Sequence, residues 1–171
     1  TRHGTATITA TTSALRLYGA GTITVGNLVA TDVSILSDTG AILNAADSSK
    51  NVTATNLRLE ANGTIGTAAR HLTIATGVLT ALSHTSHTYL TEDNAVTVGT
   101  VSVTVAQFNS DATTTNVTDA AQSGLTTLVD GDIVLVSLAG TITVNEAVSA
   151  NGSGNILLSA GGAGSDLDLN A

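Results

Sequence analysis

Apolar residues in this chain alternate with polar ones in short bursts, and the bursts recur. Leu15 and Leu17 stand six and four residues ahead of Gly21, which opens the string Gly21-Thr22-Ile23-Thr24-Val25. The same pentapeptide returns at Gly140-Thr141-Ile142-Thr143-Val144, with Val134 and Val136 at those two offsets. A third copy carries Leu57, Leu59, Gly63 and Ile65. A weaker fourth carries Leu36, Gly40 and Ile42, and a degenerate fifth starts at Ile156 and Leu158 but lacks the Ile after its glycines.

Alternation, a glycine corner and a second alternating run together describe strand, turn, strand. No 3.6-residue stripe or capped apolar face is sustained, so no helix is predicted. Neighbouring glycines are about 19, 23 and 22 residues apart, a period of the solenoid kind. The expected fold class is all-β: a parallel β-helix (β-solenoid) of roughly 20-residue coils, stacked about 4.8 Å apart. Residues 1–171 would then hold roughly seven or eight coils, a rod on the order of 35–40 Å long. Leu15, Leu17 and Ile23 should share core columns with Leu57, Leu59 and Ile65. Gly21 and Gly63 should occupy equivalent corners, where φ is positive or no side chain fits. The register is lost between Gly63 and Gly140. Ala95 to Val105 still alternates, but 108–130 does not, and reads as a protruding loop or irregular coil where a specialised function would sit.

Composition sharpens this picture. With no Trp, Met, Cys or Pro, one Phe and two Tyr, the core must come from Ala, Val, Ile and Leu. Such residues suit close, regular stacking of strands. A net charge of −8 argues against nucleic acid and anionic membranes as partners. Absence of cysteine excludes disulfides and thiolate metal sites. No apolar run is long enough to cross a bilayer, and none resembles a signal peptide. The chain opens on Thr1 and closes mid-pattern on Leu169-Asn170-Ala171, which reads as a segment excerpted from a longer chain.

Three stretches, Leu57 to Thr67, Tyr89 to Gly99 and Gly152 to Ala160, resemble the giant repetitive bacterial surface proteins of the filamentous-haemagglutinin and adhesin type. The resemblance implies a right-handed β-helix, secretion to the bacterial cell surface, and a structural role as a stalk or adhesive filament. It carries no catalytic motif. Open sheet edges at the ends of such a stack favour neighbouring repeats and further copies, in homotypic assembly, as partners; the competing reading is a host, cell-surface or glycan ligand gripped by the 108–130 loop.

Candidate chemistry is sparse. His84 and His87 are the closest pair of imidazoles, but odd spacing sends them to opposite faces of a strand, so they converge only in a turn. Asp130, Asp132, Asp166 and Asp168 invite a calcium reading, because Gly161 to Asp166 begins like a β-roll nonapeptide. Asp168 stands where that repeat needs a large aliphatic residue, and the string occurs once, so ordinary turns are the expectation and no cofactor is. Sugar cleavage needs paired carboxylates and usually aromatic platforms; the acids here are dispersed, so no enzyme is expected. Thr-x-Thr steps at Thr5, Thr22, Thr53 and Thr141 raise ice binding, although strand preference explains threonine equally well. Sequons at Asn51, Asn62, Asn116 and Asn151 would be idle in a bacterium.

Overall fold

Small branched side chains in alternation favour extended backbone, and strands make up most of the described residues. The computed structural model describes residues 6–46 and 49–171, so Thr5 of the first Thr-x-Thr step lies outside the described residues. Among them are sixteen strands and no helix. They are β1 (Thr7–Gly19), β2 (Ile23–Val25), β3 (Asn27–Ser37), β4 (Ile42–Asn44), β5 (Val52–Ala61), β6 (Leu72–Ser83), β7 (Thr88–Glu92) and β8 (Val96–Val98). There follow β9 (Thr100–Phe108), β10 (Thr114–Ser123), β11 (Leu125–Thr127), β12 (Ile133–Ser137), β13 (Ile142–Val144), β14 (Val148–Ala150), β15 (Ile156–Ala160) and β16 (Leu167–Leu169). Twelve of them form one large sheet; β2 with β4, and β9 with β10, are separate pairs. Every strand pair is parallel except β9 with β10.

Parallel pairing aligns like positions into columns; β1 shifts register against β3 between Ala10 and Ala14, ahead of the positions that follow. One column runs Leu15, Val33, Leu57, Leu79, Val98, Val144 and Leu169. A second runs Leu17, Ile35, Leu59, Ala81, Leu125 and Val148. A third runs Ile23, Ile42, Ile65, Thr88, Ile133 and Ile156. Their middle members are buried and, Thr88 in the third column excepted, belong to a single apolar cluster. Each such aliphatic side chain contributes about 1.5–3 kcal/mol when taken out of water. The end members, Ile156 at 47% and Leu169 at 64%, are exposed because their columns stop there among the described residues.

The structure corrects three of the expected core positions. Leu36 is half-buried and pairs with Tyr18 and Glu60 on the outward side, while Val33 and Ile35 fill the core. Val134 and Val136 are likewise half-buried, and Ile133 and Leu135 are the fully buried pair. The cause is corner length. Ile65 follows Leu59 by six positions, but Ile142 follows Leu135 by seven and Ile42 follows Ile35 by seven. Counting back from the glycine therefore lands one residue off, and one residue reverses the face of a strand.

Corners are closed by buried hydroxyls. Ser37 Oγ donates to Gly21 O at 2.9 Å, Ser83 Oγ to Gly63 O at 2.9 Å, and Ser137 Oγ to Asn94 O at 2.8 Å. The glycines themselves stack: a Cβ on Gly40 would stand 2.3 Å from Thr22 N, and one on Gly63 would stand 3.2 Å from Gly40 O. Close approach, not positive φ, is what demands glycine at these two corners.

Candidate functional site: a hairpin clamped on a charged face

The step from the first column to the second is short in most rows. Between Leu79 and Ala81 it is made by Thr80 alone; in the next row it is made by the whole segment Gly99–Gly124. The excursion therefore spans Thr100–Ser123 as an antiparallel hairpin of β9 and β10, whereas residues 125–127 have already rejoined the large sheet. This replaces the loop expected at 108–130. The base is pinched shut, with Gly124 N donating to Gly99 O at 3.0 Å, and both glycines are bonded to the row below through Leu79 and Ala81.

The hairpin does not project freely. It folds back so that β9 lies against β1, β3, β5 and β6, burying Val101 and Val103. Beneath it runs an outward-facing register of Arg16, Ser34, Arg58 and Thr80. Each is flanked on its strand by aliphatic core residues, so alternation aims it away from the core. Arg16 Nε donates to both oxygens of Asp119 on β10, at 2.9 and 2.8 Å. Arg58 Nε donates to Ala120 O at 3.1 Å, and its Nη2 to Glu60 Oε2 at 2.6 Å. Gln122 Nε2 donates to Leu59 O at 3.0 Å and to Thr80 Oγ1 at 3.1 Å.

Burial alone would raise the Asp119 carboxyl, but the Arg16 guanidinium, aided by Ser34 and Arg58, overrides it and holds the pKa below the ordinary value. Satisfaction is nevertheless incomplete: Arg58 Nη1 and Gln122 Oε1 are buried without a hydrogen-bond partner. At the rim, Glu60 Oε1 lies 3.1 Å from His84 Nε2, and both line a recess of about 130 Å³ with Leu36, Ser37, Asp38 and Asn62. Tyr18 is held there by its hydroxyl on Asp38 at 3.3 Å and by Arg16 over its ring at 5.4 Å. The far end of the hairpin carries Phe108, 81% exposed, beside a turn in which Asp111 caps Thr113 and Ala112 has φ 65°.

The residues singled out from the sequence lie elsewhere and apart. His84 and His87 sit in the turn between β6 and β7 but face different partners. His87 Nδ1 accepts from Asp132 N at 2.9 Å; that bond requires an unprotonated Nδ1, so the 3.3 Å approach of Asp132 Oδ2 to the same atom is not a second hydrogen bond. The His87 ring also flanks Tyr89, as does His71, each 5.7 Å from it. Asp130 and Asp132 do share a corner. Asp130 Oδ1 accepts from Ser153 N at 2.8 Å, and Asp132 Oδ1 from Asn155 N at 2.9 Å, so both carboxylates tie one row to the next. Those bonds hold both pKa values low. Asp166 and Asp168 lie at the last row, beside Thr141 and Thr143. Among the described residues no three His, Cys, Asp or Glu side chains gather as a metal cage would need.

Arg16, Arg58 and Asp119 were not singled out in the sequence, although a signal exists. Both arginines occupy the slot between two leucines, Leu15-Arg16-Leu17 and Leu57-Arg58-Leu59, in a chain with only five Lys and Arg. Two scarce cations in one repeat position imply a common counter-charge. Compared with family models, with curated proteins and with solved structures, the chain gives no match in any of the three.

Proposed function

We propose that the parallel strands wind into a right-handed β-helix, and that the chain is one stretch of a secreted bacterial surface fibre or stalk. The observation that supports this most is the aliphatic column of Leu15, Val33, Leu57, Leu79, Val98, Val144 and Leu169, unbroken by a polar residue over seven rows. Such a column, flanked by continuous backbone ladders, resists bending and shear without any catalytic group. The function is mechanical: the rod holds whatever it carries at a fixed distance from the cell, and it is not an enzyme. Threonine does not form a matching outer column, since Thr24 pairs with Leu43, and Thr53 with Val29 and Ala75. That weighs against ice binding.

Each end of the stack presents members of shared columns: Ile8 is 48% exposed at one end, and Ile156 and Leu169 at the other. Neighbouring repeats, or further copies joined end to end, would continue those columns. Cryo-electron microscopy tests the architecture directly. A rod of right-handed coils advancing about 4.8 Å each is expected; a closed barrel, a flat sheet or a left-handed winding would sink the reading.

A second reading is favoured by the hairpin, which interrupts an otherwise regular series and exposes Phe108. In it the rod presents a module that grips a glycan or receptor. Deleting Thr100–Ser123 separates the two: unchanged rods with lost adhesion support the module, and lost rods support a purely structural hairpin.

A further inference from the structure

The hairpin covers a face that is built for an anion. Arg16, Ser34 and Arg58 follow one another in register, so the two arginines are rooted two strand spacings apart, about 10 Å. Asp119 reaches into this face and takes Arg16 with both carboxylate oxygens. Arg58 is only 6% exposed, yet its Nη1 has no hydrogen-bond partner, while the fully buried Ser34 hydroxyl faces the Asp119 carboxylate and helps hold its pKa low. A buried guanidinium N–H without a partner is costly, and it marks an acceptor position that the hairpin leaves unfilled. Glu60 occupies only the Nη2 side of Arg58. Removing the hairpin would free Arg58 Nε as well, because its present acceptor is Ala120 O.

We propose that the face formed by Arg16, Ser34 and Arg58 is a binding site for carboxylate groups of an extended uronic-acid sugar chain, and that the hairpin is its displaceable cover, with Asp119 standing in for the first ligand carboxylate. This deepens the reading of the hairpin as the ligand-handling part of the rod, by placing the site beneath it rather than at its tip. The planar fork of arginine suits carboxylate, and two arginines rooted about 10 Å apart on one face suit an extended polymer better than a single small anion. The cover explains how a chain of net charge −8 keeps two cations from binding indiscriminately. His84 and Glu60 at one edge, and Asp38 beyond them, make the rim of the face acidic and polar, which disfavours a densely charged polyanion.

The test uses the full chain and two variants, with an oligogalacturonate as probe and its neutral methyl ester as control. Asp119→Ala removes the stand-in carboxylate; a second variant replaces Gly99–Gly124 with one threonine, copying Leu79-Thr80-Ala81 in the row below. Calorimetric titration should show binding at least tenfold tighter in each variant than in the parent, with none to the ester. Adding Arg16→Gln or Arg58→Gln should return it to the parent level. In the parent, saturating oligogalacturonate should speed amide exchange across Thr100–Ser123. Binding no tighter in Asp119→Ala than in the parent, or indifferent to both arginines, overturns the proposal, as does equal affinity for dextran sulfate. If the threonine-bridged variant does not fold, Asp119→Ala and the exchange experiment decide alone. Lost surface adhesion on hairpin deletion reports on the tip, whereas gained uronate binding reports on the face below, so the two readings can fail separately.

Discussion

Glu92 stands in register beside Ile74, placing a carboxyl group at the end of a run of buried aliphatic positions, Leu28, Val52 and Ile74. The side chain is fully buried and accepts from Thr76 N at 3.0 Å and Asn94 N at 3.1 Å. Burial dominates: it pushes the pKa from 4.5 to about 7, against the pull of those N–H groups and with a smaller push from Asp93.

The folded-state pKa of Glu92 thus lies above its unfolded value. Its contribution to stability is complete below about pH 4.5 and is lost as pH rises through about 7. We expect urea midpoints to fall between pH 5 and pH 8 by the equivalent of roughly 2–3 kcal/mol. Glu92→Gln should flatten that fall; a slope unchanged by the substitution would assign it to other groups. Below pH 4 the sign reverses, because Asp119, Asp130 and Asp132 have depressed pKa values and lose their partners on protonation.

Neighbouring residues on one strand should differ sharply. Ile133→Ala empties a fully buried position and should cost about 2–5 kcal/mol. Val134→Ala, one residue on and half-buried, should cost under about 1.5 kcal/mol. Equal losses in denaturant titration would contradict the register.

Two glycines that look equivalent in sequence are not equivalent in space. Gly21 has open space where a Cβ would go, whereas a Cβ on Gly40 meets backbone of Thr22 at 2.3 Å. Gly21→Ala should be neutral within about 0.5 kcal/mol, and Gly40→Ala should cost roughly 1–3 kcal/mol by forcing the corners apart. Melting temperatures of the two variants check this.

Asn51 is wholly buried and fully used. Its Nδ2 donates to Val25 O at 2.8 Å and to Asn44 Oδ1 at 3.1 Å, while its Oδ1 accepts from Thr73 N at 2.9 Å and Thr73 Oγ1 at 2.8 Å. Asn51→Ala orphans several of these groups at once and should cost about 2–4 kcal/mol. Asn51→Asp should be at least as harmful, since it replaces a donor by a charge. A melting temperature within about 2 °C of the parent, equivalent to about 0.5 kcal/mol for a chain of this size, would refute the role.

Strand content, parallel period and the leucine columns were legible because each rests on local alternation, which a buried sheet face enforces. Leu57, Leu59 and Ile65 read correctly since their corner has the same length as that of Leu17 and Ile23. Leu36, Val134 and Val136 misread because an extra corner residue costs the backbone little, leaves no composition signature and flips the face of everything before it. Val101 and Val103 alternate as any core strand does, and only the turn around Asn109 and Asp111 shows that they fold back. The pairing of Arg16 with Asp119 joins residues 103 positions apart, and nothing local announces it.

The pinch between Gly99 and Gly124 has a wider meaning for how such a chain can change. Where two backbone glycines close a doorway with one hydrogen bond, the distance through the doorway is set by geometry and the length of text behind it is free. Gly124 must remain glycine, since its φ is 71° and a Cβ would strike Ala147 O at 2.1 Å. Everything between the hinges can be lengthened, shortened or exchanged while Val98 and Leu125 keep their places on Leu79 and Ala81. A stack of parallel strands can in this way accept a new insertion in one row while the registers of the other rows hold.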